Sequence, residues 1–160
     1  RVLQQIVLEG IENWTTATIT ERMPFWKTQL QQLGISALDK PLALIQKAVK
    51  NCLEDETAHW LLNNQHQNSY CEYSIGYIGT NNQSKTAIVD RCFISEGTQW
   101  IIDYKTAEPT EGESQDSFIK REMSLYREQL EHYAKLFEQM GKLPVKTALY
   151  FPLISHLAII

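Results

Sequence analysis

Ile88-Val89-Asp90-Arg91-Cys92-Phe93-Ile94-Ser95-Glu96-Gly97-Thr98-Gln99-Trp100-Ile101-Ile102-Asp103-Tyr104-Lys105 is two runs of β-branched and aromatic residues around a polar Ser-Glu-Gly-Thr step. That is the composition of two strands joined by a tight turn. A two-residue turn at Glu96-Gly97 sets Ser95 against Thr98 and, counting outward, Asp90 directly against Asp103. Residues opposed in this way have Cβ atoms roughly 4.5–5.5 Å apart, where two like charges destabilise a sheet unless something positive lies between them. Lys105, two residues past Asp103, shares their face by the strand's period of two. A three- or four-residue loop would change the pairing.

The neighbours Val89, Phe93, Ile101 and Ile102 are apolar, as in strands covered on both sides, where an uncompensated charge is costly. Two readings stay open. Asp90, Asp103 and Lys105 are a salt-bridge cluster at a strand end, or the two carboxylates hold a divalent cation. Oxygen ligands select hard cations such as Mg2+ or Mn2+, which keep several waters and leave room for phosphate oxygens and an attacking water. The second reading therefore points to phosphodiester chemistry, with the metal polarising phosphate and Lys105 orienting the water or stabilising developing negative charge.

Working outward, Tyr70 to Ile78 forms a strand before this hairpin, with Thr86 to Ile94 and Gln99 to Lys105 as the hairpin's own strands. The acidic stretch Glu108 to Ser117, with Pro109 and Gly112, has loop composition: a solvated linker, or a gate for substrate. A long helix follows, with Tyr126, Leu130, Tyr133, Phe137 and Met140 on one stripe and Gly141 at its end. Val145 to Phe151 reads as a fourth strand and Leu157 to Ile160 as a fifth. Ahead of Ser69 the spacing is helical: Val2, Leu3, Ile6 and Ile11, then Leu42, Ile45, Val49 and Leu53 recur every three or four residues. Gly34 ends one helix, and Asp39 with Pro41 marks the N-cap region of the helix carrying Leu42 to Leu62. The expected fold is α/β: a central mixed sheet of about four to five strands flanked by helices, in one domain over residues 1–160, helical over 1–64 and with its core over 70–160.

With 160 residues, 43% of them hydrophobic, the chain can bury a real core and is neither disordered nor a coiled coil. No run approaches the roughly 18 apolar residues of a membrane helix. Cys52, Cys71 and Cys92 are odd in number and widely spaced, which suggests no disulfide framework and no zinc or iron–sulfur site and fits a reducing cytoplasm. The net charge of −4 is local, since residues 106–131 hold seven acids and three bases; such a domain reaches nucleic acid most readily beside a basic partner surface. Beginning at Arg1 and ending in Leu157-Ala158-Ile159-Ile160, the chain is expected to be a piece of a longer one. No GxxxxGK[ST] loop is present, so no nucleotide is expected and any ATP-driven unwinding belongs elsewhere.

Ile88-Val89-Asp90, a short hairpin, and Ile102-Asp103-Tyr104-Lys105-Thr106 resemble the core of the PD-(D/E)XK nucleases, most closely their RecB/AddA-type domain. Downstream, Gln129-Leu130-Glu131-His132-Tyr133 resembles that family's Q-h-x-x-Y motif. The resemblance implies a restriction-endonuclease-like core and a Mg2+- or Mn2+-dependent exonuclease acting on DNA in recombination-type repair, with a helicase domain or subunit as partner and no membrane. It assigns catalysis to Asp90, Asp103 and Lys105, and metal binding to Asp90, Asp103 and the backbone carbonyl of Tyr104. Glu72 is a candidate further acid, a solvated Glu being the alternative. Gln129 and Tyr133, one helical turn apart, reach one phosphate or support the site; for Tyr133 the alternative is simple core. The family's metal-binding His precedes a segment like Arg1 to Ile6, and His59, His66, His132 and His156 stand elsewhere, so a weakened metal site is expected, with a catalytically silent DNA- or protein-binding module as the alternative function. The family's iron–sulfur variants need a cysteine cluster that this chain lacks.

Overall fold

The computed structural model describes residues 1–160, which divide into two compact units: residues 1–64 with Pro152–Ser155, and residues 65–151 with 156–160. The fold is α/β with a mixed five-stranded sheet.

The first unit is helical: α1 (Val2–Glu9), α2 (Thr16–Gln32), α3 (Asp39–Glu54) and α4 (Glu56–Leu61). Ile6, Ile19, Trp26, Val49, Cys52 and Leu61 form its buried interior. Thr15 and Thr18 cap the start of α2 reciprocally, and its end is a Schellman motif around Gly34 at φ 80, with the N–H of Gly34 on Gln31 O and that of Ile35 on Leu30 O; only glycine adopts that backbone without strain. Two expectations are corrected here. The helix through Leu62 is broken at Asp55, whose extended backbone and side chain, accepting from Thr57 N at 3.0 Å, start α4 afresh. Asp39 does not cap α3 but occupies its first turn after Leu38, which places Pro41 where its missing N–H still costs nothing.

The second unit holds β1 (Gln67–Ile78), β2 (Ser84–Ser95), β3 (Thr98–Tyr104), α5 (Gln115–Met140), β4 (Val145–Phe151) and β5 (His156–Ile159), with sheet order β1-β2-β3-β4-β5. β3 and β4 are parallel and the other neighbours antiparallel, as expected when α5 is the crossover between the only strand pair not joined by a short turn. Glu96 and Gly97 have φ of 49 and 70, the two positive values of a type I′ turn, and β2 pairs with β3 from Ser95↔Thr98 to Arg91↔Ile102.

Helix α5 starts at Gln115, capped by Ser114, so the preceding loop is shorter than its composition suggests. The helix packs on the sheet through Phe118 against Phe151, Phe137 against Tyr73, and Tyr133 against β2. Met140, expected on the buried stripe, is 54% exposed; it is the last helical residue and sits at the rim of a cavity it shares with Tyr73, Ile94 and Val145. No helix is long and apolar enough to cross a membrane.

Candidate active site

The hairpin register carries one step past Arg91↔Ile102 to Asp90 and Asp103, and there the strands part. β2 continues along β1, with Val89 on Tyr73 and Ile88 on Ser74. β3 stays with β4, with Asp103 on Leu149 and the Lys105 N–H on Tyr150 O at 2.9 Å. At the parting Asp90 Oδ2 accepts the backbone N–H of Tyr104 at 2.9 Å, so one carboxylate steadies the peptide between the other carboxylate and the lysine. The two aspartates and Lys105 meet as the spacing predicts.

Asp103 is 5% exposed. Burial pushes its carboxyl above the usual carboxylate range; Lys105 pulls it back and the Asp90 charge adds to the rise. Lys105 Nζ lies 2.5 Å from Asp103 Oδ2, a close charge-assisted contact that partners this buried oxygen. A buried carboxylate that feels the charge of a second one beside it suits a hard cation. The donor set of Asp90 and Asp103 on adjacent strands, with the Tyr104 carbonyl between Asp103 and Lys105, fits an ion that keeps most of its waters and takes one or two carboxylates.

Glu72 lies on β1 between the paired Cys71↔Arg91 and Tyr73↔Val89, abreast of Asp90. It is exposed and has left-handed backbone, φ 49, and no group of three acids, histidines or cysteines gathers close enough to share an ion. The structure thus joins Asp90 and Asp103 but does not bring Glu72 to them as a third ligand. His132 packs edge-on to Tyr77 at 4.7 Å, away from any such group.

Gln129 Nε2 donates to the Tyr133 hydroxyl at 2.7 Å, and that hydroxyl donates to Ile88 O at 3.0 Å. The Q-h-x-x-Y pair therefore tethers α5 to β2 two residues before Asp90. Tyr133 is 7% exposed, so its ring is core while its hydroxyl supports the site. Tyr133→Phe is expected to lower stability by about 1 kcal/mol, because it leaves Ile88 O without that donor; an unchanged urea midpoint in the variant would contradict the tether.

Two participants were not singled out from the sequence. Tyr126, assigned to the core stripe, lies with its ring under the Lys105 ammonium, 3.4 Å from Nζ to ring centroid; its place one turn before Gln129 was the available signal. Arg91, beside Asp90, is fully buried, donates to Ser69 Oγ at 2.8 Å and Tyr70 O at 3.3 Å, and lies over the Phe93 ring. No hydrophobic or motif rule flags a buried arginine.

The loop after Lys105 is pinned to α5. Glu113 accepts from Arg121 at 2.9 and 3.1 Å and from the Thr110 N–H at 2.9 Å, which holds its carboxyl down from 4.5 to about 2, Arg121 being the main cause. A lowered acid contributes stability above its unfolded value and loses it as pH falls toward the folded one. Amide exchange in residues 106–114 is therefore expected to be slower than in Glu113→Gln above about pH 4.5, the difference closing as pH falls toward 2 and shrinking in high salt. A difference independent of pH would contradict this tether.

Compared with known proteins, the chain matches no protein-family model and no curated protein.

Proposed function

We propose that this chain is the nuclease part of a DNA-processing enzyme: a Mg2+- or Mn2+-dependent deoxyribonuclease of the PD-(D/E)XK kind. The observation that carries the reading is the end of the β2–β3 pairing at Arg91↔Ile102, where the next residues, Asp90 and Asp103, come together with Lys105 Nζ 2.5 Å from Asp103 Oδ2. A salt-bridge cluster alone accounts for Lys105 with Asp103. Asp90 caps the Tyr104 N–H, but its charge beside the buried Asp103 adds to the rise that burial gives that carboxyl, a cost that a bound cation offsets.

Asp90, Asp103 and the Tyr104 carbonyl would hold the metal, which when bound supplies a Lewis acid for the phosphate and a more acidic water. Asp90 steadies the Asp103–Tyr104 peptide through the Tyr104 N–H, and the Lys105 N–H on Tyr150 O at 2.9 Å orients the next peptide, which carries the Tyr104 carbonyl. Lys105 holds a positive charge on the same face, where it orients an attacking water or stabilises charge developing on the phosphate. Gln129 and Tyr133 keep α5 in register with β2 beside the site. The exonuclease habit and the role in recombination-type repair beside a helicase rest on the sequence resemblance, and a cytoplasmic setting rests on the three widely spaced cysteines.

End-labelled linear DNA incubated with the protein in Mg2+, Mn2+ or EDTA tests the reading. The expected result is shortening of the label in either metal and none in EDTA. Binding of DNA without turnover in any metal would contradict it and favour a silent module.

A further inference from the structure

The Lys105 ammonium is held from two elements. On β3 the Asp103 carboxylate lies 2.5 Å away; on α5 the Tyr126 ring lies beneath it, 3.4 Å from Nζ to centroid. The lysine side chain is 16% exposed, so water does little to hold the charge in place. Glu122, one turn earlier on α5 and 3% exposed, is bound by Arg121 Nη1 at 2.5 Å.

The two partners act differently. A carboxylate competes for the ammonium's N–H groups and can take its proton. An aromatic face attracts the cation through its quadrupole, most strongly where water is scarce, accepts no proton at neutral pH and leaves the N–H groups on the far side free to point elsewhere. A flexible four-carbon stem held only by Asp103 would also lose its anchor whenever that carboxylate took another partner.

We propose that Tyr126 is a positioning residue: its ring is the seat that keeps the Lys105 ammonium on the Asp90–Asp103 face independently of Asp103. The seat is a matter of geometry, and its value to turnover rests on the nuclease reading. Residues 126, 129 and 133 then form one device along α5, in which Gln129 and Tyr133 fix the helix to β2 and Tyr126 presents its ring to β3.

Two measurements on the intact chain separate the two claims. The first is steady-state DNA cleavage by wild type, Tyr126→Leu and Tyr126→Phe. Tyr126→Leu is expected to lower kcat about tenfold with KM within about twofold, and Tyr126→Phe, which keeps the ring, to restore kcat. Full kcat in the leucine variant, or equal loss in both variants, would overturn the proposal. The second is the NMR shift of the Lys105 Hε protons in lysine-labelled protein, assigned through Lys105→Arg. Ring current is expected to move them upfield in wild type and Tyr126→Phe, and not in Tyr126→Leu. Unshifted Hε protons in wild type would overturn the seat even if DNA is cut, whereas shifted protons in a protein that cuts no DNA would support the seat and reject the nuclease.

Discussion

Asp103→Ala is expected to slow metal-dependent DNA hydrolysis by about 10³-fold, about 4 kcal/mol of transition-state stabilisation, with the fold intact. The loss should be in kcat, because one substitution removes a proposed metal ligand and the counter-charge that steadies Lys105. The companion Lys105→Ala should lose about 10²-fold or more while still binding the ion. Thermal unfolding of Asp103→Ala separates chemistry from folding. The carboxyl of Asp103 is raised, so between its unfolded and folded values the native state holds the proton longer, and the residue's contribution to stability declines as pH rises through that window. At neutral pH that contribution is already lost, so any fall in the melting temperature of the alanine variant reports the Lys105 ammonium left without its counter-charge. Cutting that survived both substitutions would remove the site from this hairpin.

Arg91→Ala should be the most damaging substitution for stability, at about 3 kcal/mol, on the order of a 10 °C fall in Tm. Arg91 is fully buried on β2, on the sheet face opposite Asp90, with hydrogen bonds to Ser69 Oγ, Tyr70 O and Cys92 O and a ring contact with Phe93. Truncation leaves a cavity and deprives those oxygens of their donor. Arg91→Lys should recover only part of the loss, since a lysine cannot reproduce the guanidinium fork. The position couples stability to chemistry, because Arg91 stitches β1 to β2 at the point where β2 leaves β3, and Asp90 is the next residue. Urea unfolding monitored by tryptophan fluorescence checks this, and a loss below about 1 kcal/mol would contradict the structural role.

The site's core was legible because one short turn determines it. A two-residue Glu96-Gly97 link leaves a single register, and Asp90, Asp103 and Lys105 follow from counting. The five strands and α5 were legible for a similar reason: β-branched runs and a 3.6-residue stripe are local signals. Less visible were features that depend on three dimensions. The break at Asp55 turns on one side chain accepting from Thr57 N, a capping preference that competes with an unbroken helical stripe. Met140 is half-exposed at the rim of a cavity shared with Tyr73, Ile94 and Val145, which no periodicity records. The parting of β2 from β3 at Asp90 is set by which neighbour each strand keeps. Tyr126 reads as core because an aromatic on a helix stripe nearly always is core, and only the lysine arriving from β3 gives its ring a charge to hold. Glu72 illustrates the converse: sequence order places it abreast of Asp90, but its left-handed backbone and exposure leave it outside a shared ligand group.

The central claim is that Asp90 and Asp103 are set against each other in order to hold a divalent ion. Titration of Mn2+ against the protein, followed by loss of the free-ion paramagnetic resonance signal, tests it without relying on cleavage. The account predicts saturable binding in wild type that is lost in both Asp90→Ala and Asp103→Ala and retained in Lys105→Ala. Binding unaffected by either aspartate substitution, or no binding by wild type at millimolar Mn2+, would contradict it.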